Sequence, residues 1–140
     1  MAEAKDKITC HVLNTTTGLP AKAVRVRLEL SSPTLTTSSA APIRTFESLT
    51  DDDGRIKVWL PFSADNSSGE VPLYTLDDVL DELKGRGASR WTLRFDTGGY
   101  FGEEETFFPE VVVTFVVGEG KHYHVPLLLS PYSYTTYRGS

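Results

Sequence analysis

The chain has 140 residues, of which 39% are hydrophobic and 24% are charged, a balance that indicates an ordinary globular protein rather than a disordered or fibrous one. Its 19 acidic and 14 basic residues are spread along the sequence and give a net charge of -5, which argues against a basic surface for nucleic acid. We therefore expect a single domain over residues 1–140 and no nucleic-acid partner.

The cysteine count and the hydropathy of the chain limit its environment. Cys10 is the only cysteine, so no disulfide can form within the chain, and a reducing compartment suits it. No stretch approaches the ~18 to 20 apolar residues of a membrane helix, and the opening residues lack the apolar run of a signal peptide. We expect no membrane partner and a cytoplasmic location, with a peroxisomal one left open.

Alternation of apolar and polar residues predicts that most elements are strands. In the first run, Ile8, Cys10 and Val12 lie on one face, and Thr9 and His11 lie on the other. Three later runs alternate in the same way, at residues 23–30, 55–60 and 91–95. Each of these runs is predicted to bury its apolar face in a core.

Two further runs, 111–117 and 123–129, are apolar or β-branched nearly throughout. This composition predicts central strands covered on both faces, or strands packed against another subunit. Turn sequences separate the runs: TTTGLP at 15–20, DDDG at 51–54 and GEG at 118–120. Seven or eight short strands at this spacing predict an all-β sandwich.

One segment departs from the period of two. Apolar residues at positions 76, 79, 80 and 83 recur at helical spacing, Thr75 precedes them as an N-cap, and Gly85 follows them. The pattern predicts a short amphipathic helix at 76–84. A stretch rich in Ser, Gly and Asn at 63–70 is predicted to be an exposed loop before it.

Histidine and arginine are the candidates for chemistry. On the predicted strands His11 and Arg55 point away from the apolar faces, while His122 and His124 share one face. Any one of them alone would be interpreted as a solvated surface residue, and the four together favour, without deciding, a reactive site. Two imidazoles at this spacing could share a metal, but no third ligand is marked, so none is expected. Cys10 lies on a predicted buried face and is a poor nucleophile.

Four strings of the sequence resemble one known family. The ending HYHVPLLLSPYSYTTYRGS is similar to the C-terminal signature of the transthyretin-related 5-hydroxyisourate hydrolases, whose chains end in Tyr-Arg-Gly-Ser. CHVLNTTTGLPA at 10–21, TDDDGRI at 50–56, and FDTGGYF with FFPEV within 95–111 resemble other parts of that family in the same order. Only residues 63–88 depart from it, and we interpret them as a loop-and-helix insertion, with a lid as the less favoured alternative.

The resemblance implies a prealbumin-like sandwich of two four-stranded sheets, with four chains assembled as a dimer of dimers around a channel. It implies hydrolysis of 5-hydroxyisourate to 2-oxo-4-hydroxy-4-carboxy-5-ureidoimidazoline by water attack on a ring amide, without a cofactor. The catalytic residues that it implies are His11, Arg55 and His124. The substrate-binding residues that it implies are Tyr137, Arg138, Gly139 and Ser140.

The resemblance also assigns roles within this set. His124 would be the general base, with His11 helping to hold the water, and Arg55 would stabilise negative charge. His122 is left outside the catalytic set. His11, Arg55, His124 and residues 137–140 would fall on four strands of the sheet that lines the channel.

Two other functions compete with the hydrolase. One is a non-catalytic carrier of a small aromatic ligand, as in the transthyretins, which share the fold but lack the Tyr-Arg-Gly-Ser ending. The other is an interaction module that docks through an exposed apolar patch at 126–129. The ending favours the hydrolase over the carrier, and burial of residues 126–129 between subunits explains them better than a docking patch does.

Overall fold

A computed structural model describes residues 5–34, 44–62 and 74–139, which form two β-sheets and two short helices. Residues 63–73 of the expected insertion, and Ser140, lie outside this described part. The strands are β1 (Ile8–Asn14), β2 (Leu19–Pro20), β3 (Arg25–Ser32), β4 (Arg44–Leu49), β5 (Arg55–Ile56), β6 (Leu60–Pro61), β7 (Ser89–Phe95), β8 (Val111–Val117), β9 (Tyr123–Ser130) and β10 (Ser133–Thr136). The helices are α1 (Leu76–Glu82) and α2 (Thr97–Phe101).

The first sheet has the order β10-β9-β1, and β1 is paired on its other side by both β2 and β5. β1 and β9 run parallel along the whole of β1, from Ile8 opposite Tyr123 to Asn14 opposite Leu129. β2 pairs with the end of β1, and β5 pairs with its middle. The two short strands therefore share the fourth position of the predicted four-stranded sheet.

The second sheet is antiparallel throughout and has the order β6-β4-β3-β7-β8. Its outermost strand β6 contains only Leu60 and Pro61, so this sheet is the predicted four-stranded one with a two-residue addition. The two-sheet sandwich that the sequence predicts is confirmed.

The core lies between the sheets and is built from the alternate residues of their strands. In β1, Ile8, Cys10 and Val12 are all fully buried, as the alternation predicts. β3 and β7 supply most of the opposite layer, and Trp91 and Phe95 are among the largest buried side chains. Each aliphatic side chain buried in this way contributes about 1.5–3 kcal/mol to the free energy of unfolding.

The prediction of one continuous strand over 55–60 is wrong. The chain pairs with β1 at Ile56 and crosses to the second sheet at Leu60, so the pattern of burial inverts between them. Trp59 is buried and donates a hydrogen bond from Nε1 to the carbonyl oxygen of Ile8 (2.8 Å), whereas Val58 is half exposed. Burying the large indole with a satisfied N–H outweighs the alternation.

The two apolar runs near the end of the chain differ in position. β9 is central, between β1 and β10, and Leu127 and Leu129 are fully buried in this chain's own core. The exposed patch at 126–129 that the interaction-module alternative requires is therefore contradicted, and the burial of Leu127 and Leu129 needs no second subunit. β8 is an edge strand, so the prediction that it is central within the chain is also wrong: Val112 and Val116 face outward and are 42% and 49% exposed.

The helix predicted at 76–84 is confirmed and ends two residues earlier, at Glu82. Thr75 caps it through a reciprocal box, in which Thr75 Oγ1 accepts from the Asp78 backbone N–H and the Asp78 carboxylate accepts from the Thr75 N–H. α2 is a single turn that the sequence did not predict. In the described part of the chain, neither helix has the length and apolar character needed to cross a membrane.

Candidate functional site

Three strands of the first sheet bring His11, Arg55 and His124 to one face. His11 on β1 lies directly opposite Arg55 on β5. On the other side of β1, Thr9 lies opposite His124 on β9. Because residues two apart on a strand share a face, Thr9, His11 and their two cross-strand partners all point away from the core. The predicted orientation of the three catalytic candidates is confirmed.

The two imidazoles lie close together above the sheet. Their ring centroids are 6.3 Å apart, and their planes are inclined by 28°. Both rings are half-buried, with Arg55 exposed beside them. The face therefore carries two neighbouring imidazoles and, on the strand paired with β1, one guanidinium.

Burial and positive charge lower the pKa of both histidines from the usual 6.5. For His11, burial is the largest cause, and the charge of Arg55 adds to it, while Asp51 and Asp53 act in the opposite direction. For His124, burial again comes first, followed by the charges of Arg55, His11 and Lys5. A lower pKa keeps each imidazole neutral at pH 7, the form that can accept a proton.

The turn before β5 determines where Arg55 lies. Asp51 Oδ1 accepts hydrogen bonds from the backbone N–H groups of Asp53 (2.9 Å) and Arg55 (3.0 Å). Gly54 has a φ of +73°, and its carbonyl oxygen accepts from the Val12 N–H at 2.7 Å. A Cβ at position 54 would lie 2.4 Å from the Val12 oxygen, so only glycine allows the turn to pack on β1.

The C-terminal residues approach the site, but not as a fourth strand. β10 ends at Thr136, opposite Leu127, and Tyr137 and Arg138 lie beyond it. The next residue on β9 is Pro126, which has no N–H to donate, so the ladder is interrupted there. Pairing resumes at Gly139, whose N–H donates to the His124 oxygen at 2.8 Å. The prediction of four strands is corrected to three strands and a C-terminal segment.

Gly139 lies directly against the imidazole of His124. A Cβ at position 139 would come 2.8 Å from His124 Cδ2, closer than real Cβ contacts allow. The Arg138 guanidinium lies 4.9 Å from the centre of the Tyr123 ring, and the Tyr137 side chain is 56% exposed. Ser140, the fourth predicted substrate-binding residue, lies outside the described part of the chain.

His124 borders two cavities of different character. One has a volume of about 280 Å³, and polar side chains line much of it, among them Lys5, Thr9, Arg55 and His122. The other, of similar volume, is mainly apolar and is lined by Phe115, Val125 and Tyr137 among others. Arg55 lines the polar cavity, Arg138 lines the apolar one, and His124 borders both.

Sequence reasoning missed two residues of this site. Thr9 Oγ1 lies 2.8 Å from His124 Nδ1, and Lys5 contributes to the positive field around the same ring. Thr9 shares a face with His11 in the alternation, which is the signal that could have found it. Lys5 precedes β1, where no periodic pattern identifies its direction.

Other reactive groups are separate from this face. Within the described ranges, no group of three or more His, Cys, Asp and Glu side chains is arranged to hold a metal ion. Cys10 is fully buried, and burial raises the pKa of its thiol far above the usual value, so it is not positioned to act as a nucleophile.

Comparison with known proteins identifies similar sequences and folds. The sequence pattern of the HIUase/Transthyretin family matches residues 8–139. A probable 5-hydroxyisourate hydrolase of Schizosaccharomyces pombe is 38% identical over 135 residues, which cover 95% of this chain and 90% of that protein. The 5-hydroxyisourate hydrolase of Mus musculus is 38% identical over 144 residues, with 100% of each chain covered. The solved structure of Klebsiella pneumoniae 5-hydroxyisourate hydrolase aligns with a TM-score of 0.59 and 30% identity, covering 95% of this chain and 97% of that one.

Proposed function

The chain belongs to the HIUase/transthyretin family, and on that premise we propose that it is a 5-hydroxyisourate hydrolase whose catalytic groups are His11, Arg55 and His124. It hydrolyses a ring amide of 5-hydroxyisourate in the degradation of urate. One observation carries the assignment of the site: two imidazoles with lowered pKa values and a guanidinium lie on one face of the first sheet.

The reaction begins with a water molecule held between the two histidines and the substrate. Neutral His124 removes a proton from this water as its oxygen attacks the ring carbonyl carbon, and His11 holds the water in place. The carbonyl oxygen becomes negative, and Arg55 stabilises it through its N–H donors. The ring C–N bond then breaks, and the leaving nitrogen takes the proton from the His124 imidazolium. The carboxylic acid that forms loses its remaining proton to solvent and becomes a carboxylate.

The neighbouring charges suit this order of events. Arg55 and Lys5 disfavour the imidazolium form of His124, so the ring is ready to accept a proton and readily releases it again. The same positive charges attract the negative charge that develops on the substrate. No step requires a cofactor, and we propose that none is used.

The C-terminal residues complete the site in this proposal. Gly139 provides a surface without a side chain against His124, which lets the imidazole keep its position. Tyr137 and Arg138 would contact the substrate or orient the segment, and Tyr137 is exposed enough to do so. The role of Ser140 rests on the family resemblance alone.

We further propose that four chains form a dimer of dimers, with residues 1–140 folding as one domain and 63–88 as an insertion. Exposed apolar side chains on one edge strand of each sheet support association: Val112 and Val116 on β8, and Tyr134 on β10. Light scattering of the purified protein measures the number of chains directly. The cytoplasm is the proposed compartment, with the peroxisome as the alternative.

The decisive experiment generates 5-hydroxyisourate from urate with a urate oxidase and follows the decay of its ultraviolet absorbance. The wild type should accelerate the decay, and His11→Ala, Arg55→Ala and His124→Ala should each lose ~10²- to 10⁴-fold in rate. His122→Ala should lose less than about tenfold, since a group outside the proton transfer lacks that catalytic factor. Near-normal turnover in all three alanine variants would refute the assignment of the site.

The same assay separates the hydrolase from a carrier. If the wild type leaves the spontaneous decay unchanged, the hydrolase proposal fails. Binding of a planar aromatic ligand, measured by calorimetry, would then test whether the chain is a carrier.

A further inference from the structure

We propose that Thr9 is a positioning residue for His124, and that its hydroxyl accepts a hydrogen bond from Nδ1–H and so keeps Nε2 unprotonated and available as the base. The inference rests on the proposed function, because it assigns the reacting atom of the proposed base. It concerns a residue for which the composition and the motifs of the sequence predict no role.

The contact is built into the pairing of the two strands. Thr9 and His124 are direct partners in the parallel register of β1 and β9, and Thr9 Oγ1 lies 2.8 Å from His124 Nδ1. Both side chains are half-buried, which shields the hydrogen bond from competing water. Threonine is β-branched and stiff at χ1, so the hydroxyl is held in place with little loss of side-chain entropy.

The direction of this hydrogen bond follows from the chemistry. A hydroxyl can donate or accept, and the tautomer of a histidine is set by the partner of its other nitrogen. If Thr9 donated to Nδ1, the proton of the neutral ring would be on Nε2, and that atom could not accept another. If Thr9 accepts from Nδ1–H, the lone pair of Nε2 is free before proton transfer, and Nδ1 keeps its proton afterwards. Only the accepting hydroxyl remains bonded in both states of the base.

The edge of the His124 ring opposite Nδ1 is also in contact with the protein. Gly139 lies beside Cδ2, where a Cβ would be only 2.8 Å away. Thr9 at Nδ1 and Gly139 at Cδ2 therefore flank the ring, and the edge that carries Nε2 and Cε1 is left for the substrate. This arrangement identifies Nε2 as the atom that reacts.

A hydroxyl suits the charge of the site better than a carboxylate would. A carboxylate that accepted the Nδ1 hydrogen bond would favour the imidazolium and raise the pKa of His124, against the effect of the surrounding positive charges. The Thr9 hydroxyl orients the ring without adding charge. Burial, Arg55, His11 and Lys5 can then keep the pKa below its usual value.

The test measures the tautomer of His124 by NMR of protein labelled with ¹⁵N-histidine, at a pH where the ring is neutral, with His124→Ala used to assign the signals. The wild type should show Nδ1 protonated and Nε2 unprotonated. Thr9→Val, which keeps the shape and removes the hydroxyl, should shift the population toward the other tautomer, and Thr9→Ser should restore it. Thr114→Val is the matched control, because it also removes a threonine hydroxyl that has a hydrogen-bond partner (3.0 Å to the Thr92 hydroxyl) but lies on the second sheet.

Kinetics provide the second measurement. Thr9→Val should lower kcat about tenfold, the effect of losing one hydrogen bond, while KM changes less than about twofold and Thr9→Ser recovers most of the rate. Thr114→Val should leave both constants unchanged.

A wild type with Nε2 protonated, or a Thr9→Val variant with the wild-type tautomer and kcat, would overturn the proposal. If Thr9→Val does not fold, the tautomer of the wild type decides alone. The NMR needs no substrate, so an inactive wild type with the expected tautomer would refute the proposed function and leave the positioning role standing.

Discussion

Replacing Gly139 by alanine adds one methyl group at the point where the C-terminal segment contacts the proposed base. The added Cβ would lie 2.8 Å from His124 Cδ2, 3.1 Å from the His124 carbonyl oxygen and 3.2 Å from Pro126 Cγ. The φ of Gly139 is not among the positive values in the chain, so its backbone itself tolerates alanine. The effect is therefore expected at the contact with the imidazole and not in the local conformation.

The size of the effect follows from the distance that must be recovered. Carbon atoms in favourable contact are about 3.5–4.0 Å apart, so the ring and the segment must separate by roughly 0.7–1.2 Å. A misplacement of about 1 Å in a catalytic group costs about 10²-fold in rate. We expect Gly139→Ala to lower kcat about 10²-fold, with a smaller change in KM, because the perturbation acts on the base.

The assay is the decay of 5-hydroxyisourate generated by urate oxidase, measured for the wild type, Gly139→Ala, His124→Ala and the double variant. If the methyl group acts through His124, it should have no further effect once the imidazole is absent, and the two losses should not add. Circular dichroism and light scattering, run on each variant, check that fold and assembly are retained.

Two results would refute this reasoning. Turnover of Gly139→Ala within about twofold of the wild type would show that the segment yields without moving the ring. Additive losses in the double variant would show that Gly139 acts by a route independent of His124.

Four further predictions follow from the same site and core. Because the pKa values of His11 and His124 are lowered from 6.5, the unfolded chain binds protons first as pH falls, so the free energy of unfolding should decrease below about pH 6.5 in urea titrations. The acid limb of the pH profile of kcat/KM should lie below pH 6.5 in the wild type. Arg55→Gln should move this limb to higher pH in the residual activity, because a positive charge that lowers both histidine pKa values is lost. A limb at the wild-type pH would contradict this effect of Arg55. Gly54→Ala should lower the free energy of unfolding by roughly 2–4 kcal/mol, from its positive φ and the contact with the Val12 oxygen, and an urea midpoint near that of the wild type would contradict this. Cys10 should react with an aromatic disulfide reagent only after unfolding, and rapid labelling of the native protein would show that the core opens.

Local sequence determined much of the fold and the direction of its reactive side chains. The alternation in 8–14 required both a strand and an outward His11, because residues two apart share a face and the apolar set must be buried. Thr75 with Asp78 specified the start of α1, since their side chains satisfy N–H groups that the helix leaves free. Gly54 likewise specified the turn before Arg55, because that turn needs a residue with a positive φ.

Other features depend on contacts that no local pattern encodes. α2 contains two glycines, which disfavour a helix, yet the turn forms because Asp96 caps it and the Gly98 N–H donates to the Pro109 oxygen. The Val-rich composition of β8 could not show that it is an edge strand, because the position of a strand in a sheet depends on its partners.

The arrangement of the site also depends on contacts that no local pattern encodes. Thr9 and His124 are 115 residues apart in sequence, and only the register of β1 against β9 makes them partners. The sequence alone determined which residues could react and which way each would point. The tertiary structure decided which of them meet, because the pairing of distant strands, the interruption at Pro126 and the close approach of Gly139 to the imidazole exist only once the chain has folded.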